Sequence, residues 1–551
     1  MDKKLRLFYL LIFILALVIN FAGINTGFFT DDPGLYASIA KNLIYKKDFL
    51  QLFTYNQDWL DKPHFPFWMA AISFKIFGIS VWAYRLPALL FFLLGVFYTW
   101  LFARKYYSNE IAATAVLILM TSQYVLMGNT DVRAEPYLLG LIIAAIYHIS
   151  QLKDRFGSAD LLLAAIYTAC AIMTKGIFVL VAIYGALFGQ LLFENQLGNL
   201  FSIRFIGLYL ATVLLLAPEV YALYVQFDLH PEKVVFDRQN VSGIRWFLWD
   251  SQFGRFINKG PISQQSKGDI FFYIHTLLWA FAPWCLMYFY AVYKRLRDMM
   301  DRTPSVEYYT LSGAVLLWVL FSLSKFQLPF YTNAIFPLFA IITAPYIHRP
   351  LLKLASGFRS FNLWLYSVAL VVVVVLIYHF MAQPLNREPV ILSILTWTLL
   401  NLFINRNIKQ PTHQLFLITC STVLFANIFL VLEMYPELVT YNGQITAANY
   451  INQPSQQNKH IYSLKKENNV FQFYVKRPVD YAPMEKFDSL KTDSSAIYYA
   501  SQRTIDFLNS KHWAYHIDTS FTNYPQERIL PNFVNKAKRS TVLDKVYLIS
   551  K

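Results

Sequence analysis

Two adjacent carboxylates, Asp31 and Asp32, follow the first long apolar segment of the chain. Neighbouring acids resist joint ionisation unless a cation lies close, so one of them is a candidate general base. The same position suits the start of a helix, with Thr30 or Asp31 as the cap and Pro33 in the first turn. The two roles are compatible, and the sequence leaves both open.

The tripeptide Asp61-Lys62-Pro63 lies in the same polar interval. Lys62 can hold a phosphate or pyrophosphate as a compact cation. Asp61 can orient that lysine or bind a divalent metal. The alternative is a polar turn before the apolar segment 65–78, which is too short to span a bilayer and suits a helix in the membrane plane.

A third charged stretch contains Asp131, Arg133 and Glu135, followed by Pro136. Charges at a membrane boundary are costly unless they are paired or functional. Asp131 and Glu135 are expected to share one face if this turn is helical, with Arg133 pointing elsewhere. The alternative to a functional role is charge pairing at the interface.

Lys175 and Lys325 lie beside apolar runs, and Arg255 follows Phe253-Gly254 in the polar and aromatic segment 221–269. A lipid phosphate is a suitable partner for each, and the arginine can bind a phosphate with two nitrogens. For the lysines the alternative is snorkelling, in which the stem lies along apolar surface and the charge reaches water.

The composition indicates a polytopic membrane protein. Of 551 residues, 56% are apolar and 15% are charged. Basic cytoplasmic loops and affinity for anionic lipids explain the net charge of +15. We expect no nucleic-acid partner, because no basic face with stacking aromatics lies outside the apolar runs. The sequence also lacks a phosphate-binding glycine loop, a nucleophile elbow and a zinc helix.

Apolar segments of suitable length predict about thirteen transmembrane helices. They are residues 7–25, 84–103, 111–128, 135–151, 159–174, 177–193, 205–220, 270–293, 308–323, 331–347, 361–380, 390–404 and 413–432. With the N-terminus inside, every inside loop carries Lys or Arg. The outer segments then include residues 27–83, residues 221–269 and everything after residue 433.

We expect two domains. Residues 1–432 contain the spans and the two long outer loops, and residues 433–551 form a small soluble α/β domain on the outer face. Its predicted helix is Ser501–Ser510, and its predicted strands are His460–Leu464, Ala496–Ala500, Ala514–Asp518 and Lys545–Ile549. Without an obvious catalytic cluster, this domain is expected to cap a site or to dock an acceptor.

Together these stretches resemble membrane glycosyltransferases with the GT-C fold. The nearest likeness is to family 39, the protein O-mannosyltransferase-like enzymes, and to family 83, the lipid A aminoarabinose transferases. Asp31-Asp32 resembles their acidic pair, usually Asp-Glu, and Asp61-Lys62-Pro63 resembles their Glu-Lys-Pro. The stretch 131–136 with Leu138 is similar to their second acidic motif, and the spacing to Leu138 favours Glu135 over Asp131.

The likeness continues along most of the chain. Thr174-Lys175-Gly176 is similar to a recurrent Thr-Lys-Gly, Gly254-Arg255 to a Gly-Arg marker, and Ser324-Lys325 with Tyr331 to a Ser-Lys…Tyr segment. In the aminoarabinose enzymes a His of the long loop helps to hold a metal, whereas this chain has Gln264 and Gln265 there. The resemblance therefore implies no required cofactor and leaves a divalent metal open, at Asp61 if anywhere.

The resemblance implies inverting transfer of a sugar from a polyprenyl-phosphate donor to an envelope acceptor, which is lipid A, another glycan or a protein. The reaction is expected at the periplasmic face of the bacterial inner membrane, with membrane lipids as further partners. The implied catalytic residues are Asp31, first in rank, Asp32, Glu135 and Asp131. The implied phosphate-binding residues are Lys62, Arg255, Lys325, Lys175 and Tyr331.

The alternative function is a lipid-linked-sugar transporter or flippase without transfer activity. Such a protein predicts charges in the middle of the membrane at broken helices. The charges of this chain cluster instead at the outer ends of the predicted spans, which favours the enzyme.

Overall fold

The computed structural model describes residues 1–264, 268–301, 305–347, 368, 371–372, 375–376, 379–381, 387–490, 495–525 and 529–551. The larger part of the chain is helical, and a small mixed sheet follows near the C-terminus. The predicted span 361–380 and Gln265 fall largely or wholly outside the described residues.

The helices before the sheet are α1 (Lys3–Ala22), α2 (Asp31–Lys46), α3 (Phe65–Phe77), α4 (Val81–Tyr106), α5 (Asn109–Met120), α6 (Gln123–Gly128), α7 (Glu135–Asp154), α8 (Ser158–Lys175), α9 (Val179–Phe193), α10 (Ile203–Leu215), α11 (Ala217–Leu223), α12 (Gly243–Arg245), α13 (Ser251–Phe256), α14 (Phe272–Ala280), α15 (Cys285–Met300), α16 (Tyr309–Leu323), α17 (Phe336–Ile347), α18 (Arg387–Asn407), α19 (Pro411–Phe429), α20 (Tyr435–Thr440) and α21 (Gly443–Ile451). A 3₁₀ segment, Pro329–Ile335, leads into α17.

Among the described residues, six helical segments are long and apolar enough to cross a membrane. They are Lys3–Ala22, Val81–Tyr106, Ser158–Lys175, Ile203–Asp228, Pro329–Ile347 and Pro411–Thr440. Shorter apolar helices lie at Phe65–Phe77, Asn109–Met120, Val179–Phe193 and Tyr309–Leu323. The predicted helical membrane class is confirmed, and the total of thirteen spans stays a prediction.

The predicted spans 111–128 and 270–293 are each divided between two helices, so the prediction of continuous helices there is wrong. The span 111–128 breaks between α5 and α6, where the hydroxyls of Thr121 and Ser122 donate to the carbonyls of Leu117 and Ile118, at 2.6 and 2.7 Å. The span 270–293 breaks between α14 and α15, where Pro283 supplies no backbone N–H.

Helix α7 is buried along most of its length and crosses α4 closely. At the crossing, a Cβ added to Gly140 would meet the carbonyl oxygen of Phe91, and a Cβ added to Gly95 would meet Leu139. Small residues of this kind let two helix backbones approach each other. The crossing fixes the start of α7, where Glu135 stands.

The first polar segment contains α2, a two-stranded hairpin and α3. The hairpin strands are β1 (Phe53–Thr54) and β2 (Gln57–Asp58), which pair antiparallel. Both helices predicted from this segment, one from Pro33 and one over 65–78, are present as α2 and α3.

The C-terminal part carries a five-stranded mixed sheet in the order β4-β3-β5-β7-β6. Its strands are β3 (His460–Ser463), β4 (Asp480–Tyr481), β5 (Ala496–Ser501), β6 (His516–Asn523) and β7 (Asp544–Ser550). The helices of this part are α22 (Asn469–Tyr474), α23 (Gln502–Ser510) and α24 (Pro531–Val534). Strand β3 is parallel to β4 and β5, whereas β7 is antiparallel to β5 and β6. An α/β arrangement was expected here, although β6 extends five residues beyond the predicted end at Asp518, to Asn523.

Candidate active site

The turn between α6 and α7 brings a carboxylate pair and an arginine together. Arg133 Nη1 lies 2.5 Å from Asp32 Oδ2, and its Nη2 lies 3.1 Å from Asp131 Oδ2. The hydroxyl of Thr30 donates to the other oxygen of Asp131, at 2.5 Å. Arg133 therefore joins the start of α2 to the turn before α7.

Two expectations about this region are corrected. Helix α7 begins at Glu135 with Pro136 in its first turn, so Asp131 precedes the helix and does not share a face with Glu135. Thr30 is the N-cap residue of α2, but its side chain makes no capping bond and binds Asp131 instead.

A second cluster pairs Glu135 with Lys175, which is the last residue of α8. Both side chains are buried, with 4% and 6% of their surface exposed. Lys175 Nζ lies 4.3 Å from the ring centre of Tyr331 and 5.2 Å from that of Phe330. Because Arg133 lies over the same Phe330 ring, at 4.7 Å, the first two clusters are contiguous.

The third cluster is formed by Asp61 with Lys62 and Arg255. Asp61 Oδ2 lies 2.5 Å from Lys62 Nζ, and its other oxygen pairs with the guanidinium of Arg255 on α13. Burial opposes the charge of Asp61, but the positive charges of Arg255 and Lys62 outweigh it and hold the pKa of that carboxyl below its ordinary value. Burial and the neighbouring Arg255 lower the pKa of Lys62 to about 8.

An apolar cavity of about 420 Å³ opens beside the second and third clusters. Its cationic residues are Lys175 and Arg255, and its wall is largely apolar and aromatic, with Phe178, Val181, Phe321 and Tyr331 among the lining residues. A smaller space next to it is lined by Asp61, Lys62, Lys175 and Arg255. This arrangement suits an amphiphile with an anionic head and an apolar tail.

A separate cavity of about 200 Å³ lies on the other side of the first cluster. Its polar lining includes Thr30 and Asp131, and its apolar lining includes Tyr435, Leu438 and Ile529 from the C-terminal part. The Asp131 carboxylate, 36% exposed, therefore borders this second space as well.

Most of the candidate site residues lie in the charged clusters, whereas Asp31 and Lys325 lie outside them. The structure brings seven of them together in three neighbouring clusters: Asp32, Asp131, Glu135, Lys62, Lys175, Arg255 and Tyr331. Their roles stay a prediction. Asp31 turns towards the C-terminal part, where both its oxygens accept hydrogen bonds from Asn469. Lys325 is exposed, although its neighbours Ser324 and Phe326 line the large cavity.

Asp61 does not fit a divalent metal. Its two oxygens face two cations, and a metal there would meet positive charge on both sides. Within the described ranges, no group of three or more His, Cys, Asp or Glu residues is arranged to hold a metal ion.

His64 and Arg85 are structural residues whose partners the sequence did not reveal. His64 is fully buried and donates its backbone N–H to Glu219, at 3.0 Å, and its Nδ1 lies 3.0 Å from the other carboxylate oxygen. Arg85 is buried and donates to the carbonyls of Gly23, Ile24, Thr26 and Thr130. These contacts hold the loops that carry Lys62, Thr30 and Asp131. The partners are distant in sequence, and no spacing pattern signals them.

Comparison with known proteins places this geometry in a known fold. The family model for dolichyl-phosphate-mannose-protein mannosyltransferases matches residues 61–221. Over 98% of this chain and 97% of the other, the structure resembles that of ArnT from Cupriavidus metallidurans bound to undecaprenyl phosphate, with a TM-score of 0.75 and 16% identity. The chain has the GT-C fold.

Two sequence relatives extend the comparison. An uncharacterized protein of Aquifex aeolicus is 23% identical over 70% of this chain and 72% of its own length. An undecaprenyl phosphate-alpha-4-amino-4-deoxy-L-arabinose arabinosyl transferase of Edwardsiella ictaluri is 24% identical over 58% of this chain. That match spans 55% of the transferase's length. The resemblance to GT-C glycosyltransferases of families 39 and 83 is thereby confirmed.

Proposed function

We propose that this GT-C protein is an inverting glycosyltransferase that moves a sugar from a polyprenyl-phosphate donor to a hydroxyl of an envelope acceptor. The acceptor is lipid A, another glycan or a protein, and the reaction takes place at the periplasmic face of the bacterial inner membrane. The observation that carries this proposal is the apolar cavity with Lys175 and Arg255 in its lining, next to a carboxylate cluster.

The donor is assigned to the large cavity by its chemistry. Its apolar wall suits an isoprenoid chain, and Lys62, Lys175 and Arg255 suit the phosphate that joins the chain to the sugar. In the ArnT structure the bound molecule is undecaprenyl phosphate, a lipid of this class. Tyr331 forms part of the same wall, whereas Lys325 is exposed and suits a weaker, outer contact with lipid phosphate.

The chemistry requires a single displacement. The acceptor oxygen attacks the anomeric carbon, the bond from that carbon to the phosphate oxygen breaks, and polyprenyl phosphate leaves. A carboxylate takes the proton of the acceptor hydroxyl. The cations stabilise the negative charge that grows on the leaving phosphate. One displacement at the anomeric carbon inverts its configuration.

Asp32 suits the role of base better than Asp31. The side chain of Asp32 is 47% exposed and pairs with Arg133, which also contacts Asp131 and Phe330. Burial raises the pKa of Tyr36 well above its ordinary value, and the charges of Asp32, Glu135 and Asp61 add to that rise. Asp131 borders the second cavity, where an acceptor hydroxyl can approach.

Glu135 is assigned to hold Lys175 rather than to take a proton. It is buried against that lysine, and the pair has little contact with solvent. A carboxylate that is already matched to a cation in an apolar setting is a poor proton acceptor. Its role is to keep the lysine charged and directed towards the donor phosphate.

The proposal is tested with purified protein in lipid nanodiscs and a radiolabelled polyprenyl-phosphate sugar. Envelope lipid and protein fractions serve as acceptors, and the expected result is label in one of them with release of polyprenyl phosphate. Asp32→Asn is expected to abolish transfer while donor binding remains. Movement of the labelled lipid across vesicles without transfer would instead support a transporter.

A further inference from the structure

Helices α2 and α22 lie side by side and run in the same direction, although they belong to opposite ends of the chain. The first residue of α2, Asp31, meets the first residue of α22, Asn469. Near the other end, Lys41 donates to carbonyl oxygens at the end of α22. The C-terminal part is therefore attached to the helix that carries the two aspartates.

The contact between Asp31 and Asn469 uses two donors and two acceptors. The backbone N–H of Asn469 donates to Asp31 Oδ1 at 3.2 Å, and Asn469 Nδ2 donates to Asp31 Oδ2 at 2.6 Å. On its other side, Asn469 Oδ1 accepts from the hydroxyl of Thr54 at 3.3 Å. The amide of Asn469 is thus oriented by an acceptor, Asp31, on its nitrogen and by a donor, Thr54, on its oxygen.

The remainder of the interface is closely packed. A Cβ added to Gly34 would lie 3.0 Å from the backbone of Val470, so the two helices have no room for a larger residue there. Lys41 is buried and donates to the carbonyls of Gln472 at 2.5 Å and Val475 at 2.7 Å. These bonds satisfy carbonyl groups that the end of a helix leaves unpaired.

Neighbouring positions on a helix point in directions about 100° apart. When Asp31 is held against Asn469, Asp32 is turned away from the C-terminal part and towards Arg133. The two aspartates also affect different tyrosines, as expected if their side chains point in different directions. Burial raises the pKa of Tyr55, and the charge of Asp31 adds to that rise, whereas Asp32 acts on Tyr36 near the clusters.

We propose that Asn469 is a positioning residue for the transfer reaction, and that Asp31 is its partner rather than the base. The C-terminal part then fixes the direction of Asp32 through the pair. This inference rests on the proposed function, because it assigns roles within that reaction. It gives the C-terminal part a task besides covering the site or docking an acceptor.

The test exchanges the two side chains in the full-length protein. In Asp31→Asn the new amide has one acceptor oxygen for the two donors of Asn469, its backbone N–H and its Nδ2. In Asn469→Asp two carboxylates face each other. Each single variant is expected to lower kcat about tenfold or more, since small displacements of reacting groups are costly. The KM for the donor is expected to stay near the wild-type value, because the cations of the large cavity are unchanged.

The double variant Asp31→Asn/Asn469→Asp restores a complementary pair. The amide introduced on α2 can accept from the backbone N–H and donate to the carboxylate introduced on α22, so recovery of most of the lost kcat is expected. If Asp31 is the base, the double variant stays as inactive as Asp31→Asn, because an amide does not take the proton. That outcome overturns the inference.

A second arm does not depend on rescue. Asn469→Ala leaves Asp31 intact and removes one donor, so kcat is expected to fall with little change in KM. The matched control is Asn468→Ala, which removes hydrogen bonds from the Asn468 amide to Ser463 and to the carbonyl of Lys465 and keeps both bonds from Asn469 to Asp31. Equal kcat values for Asn469→Ala and the wild type would also overturn the inference.

Different results would contradict the transfer reaction and the positioning role of Asn469. If the wild-type protein transfers no sugar under any acceptor condition, the proposed function fails. If the wild type is active and Asp32→Asn is inactive, but the exchange does not restore activity, only the positioning role fails. Gel filtration and thermal unfolding of every variant establish that the comparison is made between folded proteins.

Discussion

Glu135 and Lys175 form a buried ion pair that joins the start of α7 to the end of α8. The pair lies next to Tyr331 and in the lining of the large cavity. The carboxylate offsets the cost of burying the lysine charge, and the lysine remains available to a second anion. This relationship connects the stability of the fold to the lining of the large cavity, the proposed donor site.

Removing one member of this pair is expected to destabilise the protein. Glu135→Gln leaves the charge of Lys175 buried without a counter-ion, which costs about 3 kcal/mol or more in unfolding free energy. Thermal unfolding of the purified protein, followed by tryptophan fluorescence, measures the change. The double variant Glu135→Gln/Lys175→Met should be less destabilised than the sum of the single variants. Strict additivity would contradict the pairing.

Arg133 is expected to resist replacement by lysine. Its guanidinium contacts Asp32 and Asp131 together and lies over Phe330, which a single ammonium group does not reproduce. Arg133→Lys should therefore lower kcat about tenfold to a hundredfold. The control is Arg245→Lys, because Arg245 is 74% exposed and pairs only loosely with Asp250. Similar activity of the two variants would argue against the bridging role.

The sequence predicted the local features of the site. Charged triplets beside apolar segments indicated the candidate positions. Proline positions and apolar pattern predicted a helix from Pro33, which in the structure begins earlier, at Asp31, and a helix from Phe65. The partners could not be predicted, because they are set by packing. Arg133 and Asp32 are separated by 101 positions, and Asn469 and Asp31 by 438.

Two placements that the sequence did not predict have the same physical origin. Asp131 and Glu135 were expected on one helix face, but the bridge through Arg133 holds Asp131 in the turn before α7. Asp31 was ranked first as base, yet its helix is packed so that this carboxylate faces α22. In both cases a tertiary contact, rather than local spacing, decides where the side chain points.

The crossing of α4 and α7 supplies a stability prediction outside the charged clusters. Gly140→Ala would place a methyl group against the backbone carbonyl of Phe91, and backbone cannot move aside cheaply. Overpacking of this kind costs about 1–3 kcal/mol. Gly198→Ala is the matched control, since a Cβ there meets nothing within 4 Å. A lower unfolding temperature for the first variant alone is expected, and equal unfolding temperatures would contradict the close crossing.

If the proposed donor binds at Lys62, its binding is expected to depend on pH. Burial and the charge of Arg255 lower its pKa to about 8, so the side chain is charged below that pH and loses its charge as the pH rises through it. The attraction for a phosphate is therefore present on the acidic side and weakens on the alkaline side. Asp61 and Arg255 keep their charges across this range, because the pKa of the acid is lowered and that of the arginine is raised.

The measurement is the affinity of the purified protein for undecaprenyl phosphate on either side of that pH. Loss of one charge-assisted contact should weaken binding by about tenfold. Lys62→Arg keeps its positive charge throughout and should bind with little dependence on pH, whereas Lys62→Met should bind weakly at every pH. If the wild type and Lys62→Met lose affinity in parallel as the pH rises, the titrating group is not Lys62. Binding that is independent of pH in the wild type would mean that the lysine does not contact the phosphate.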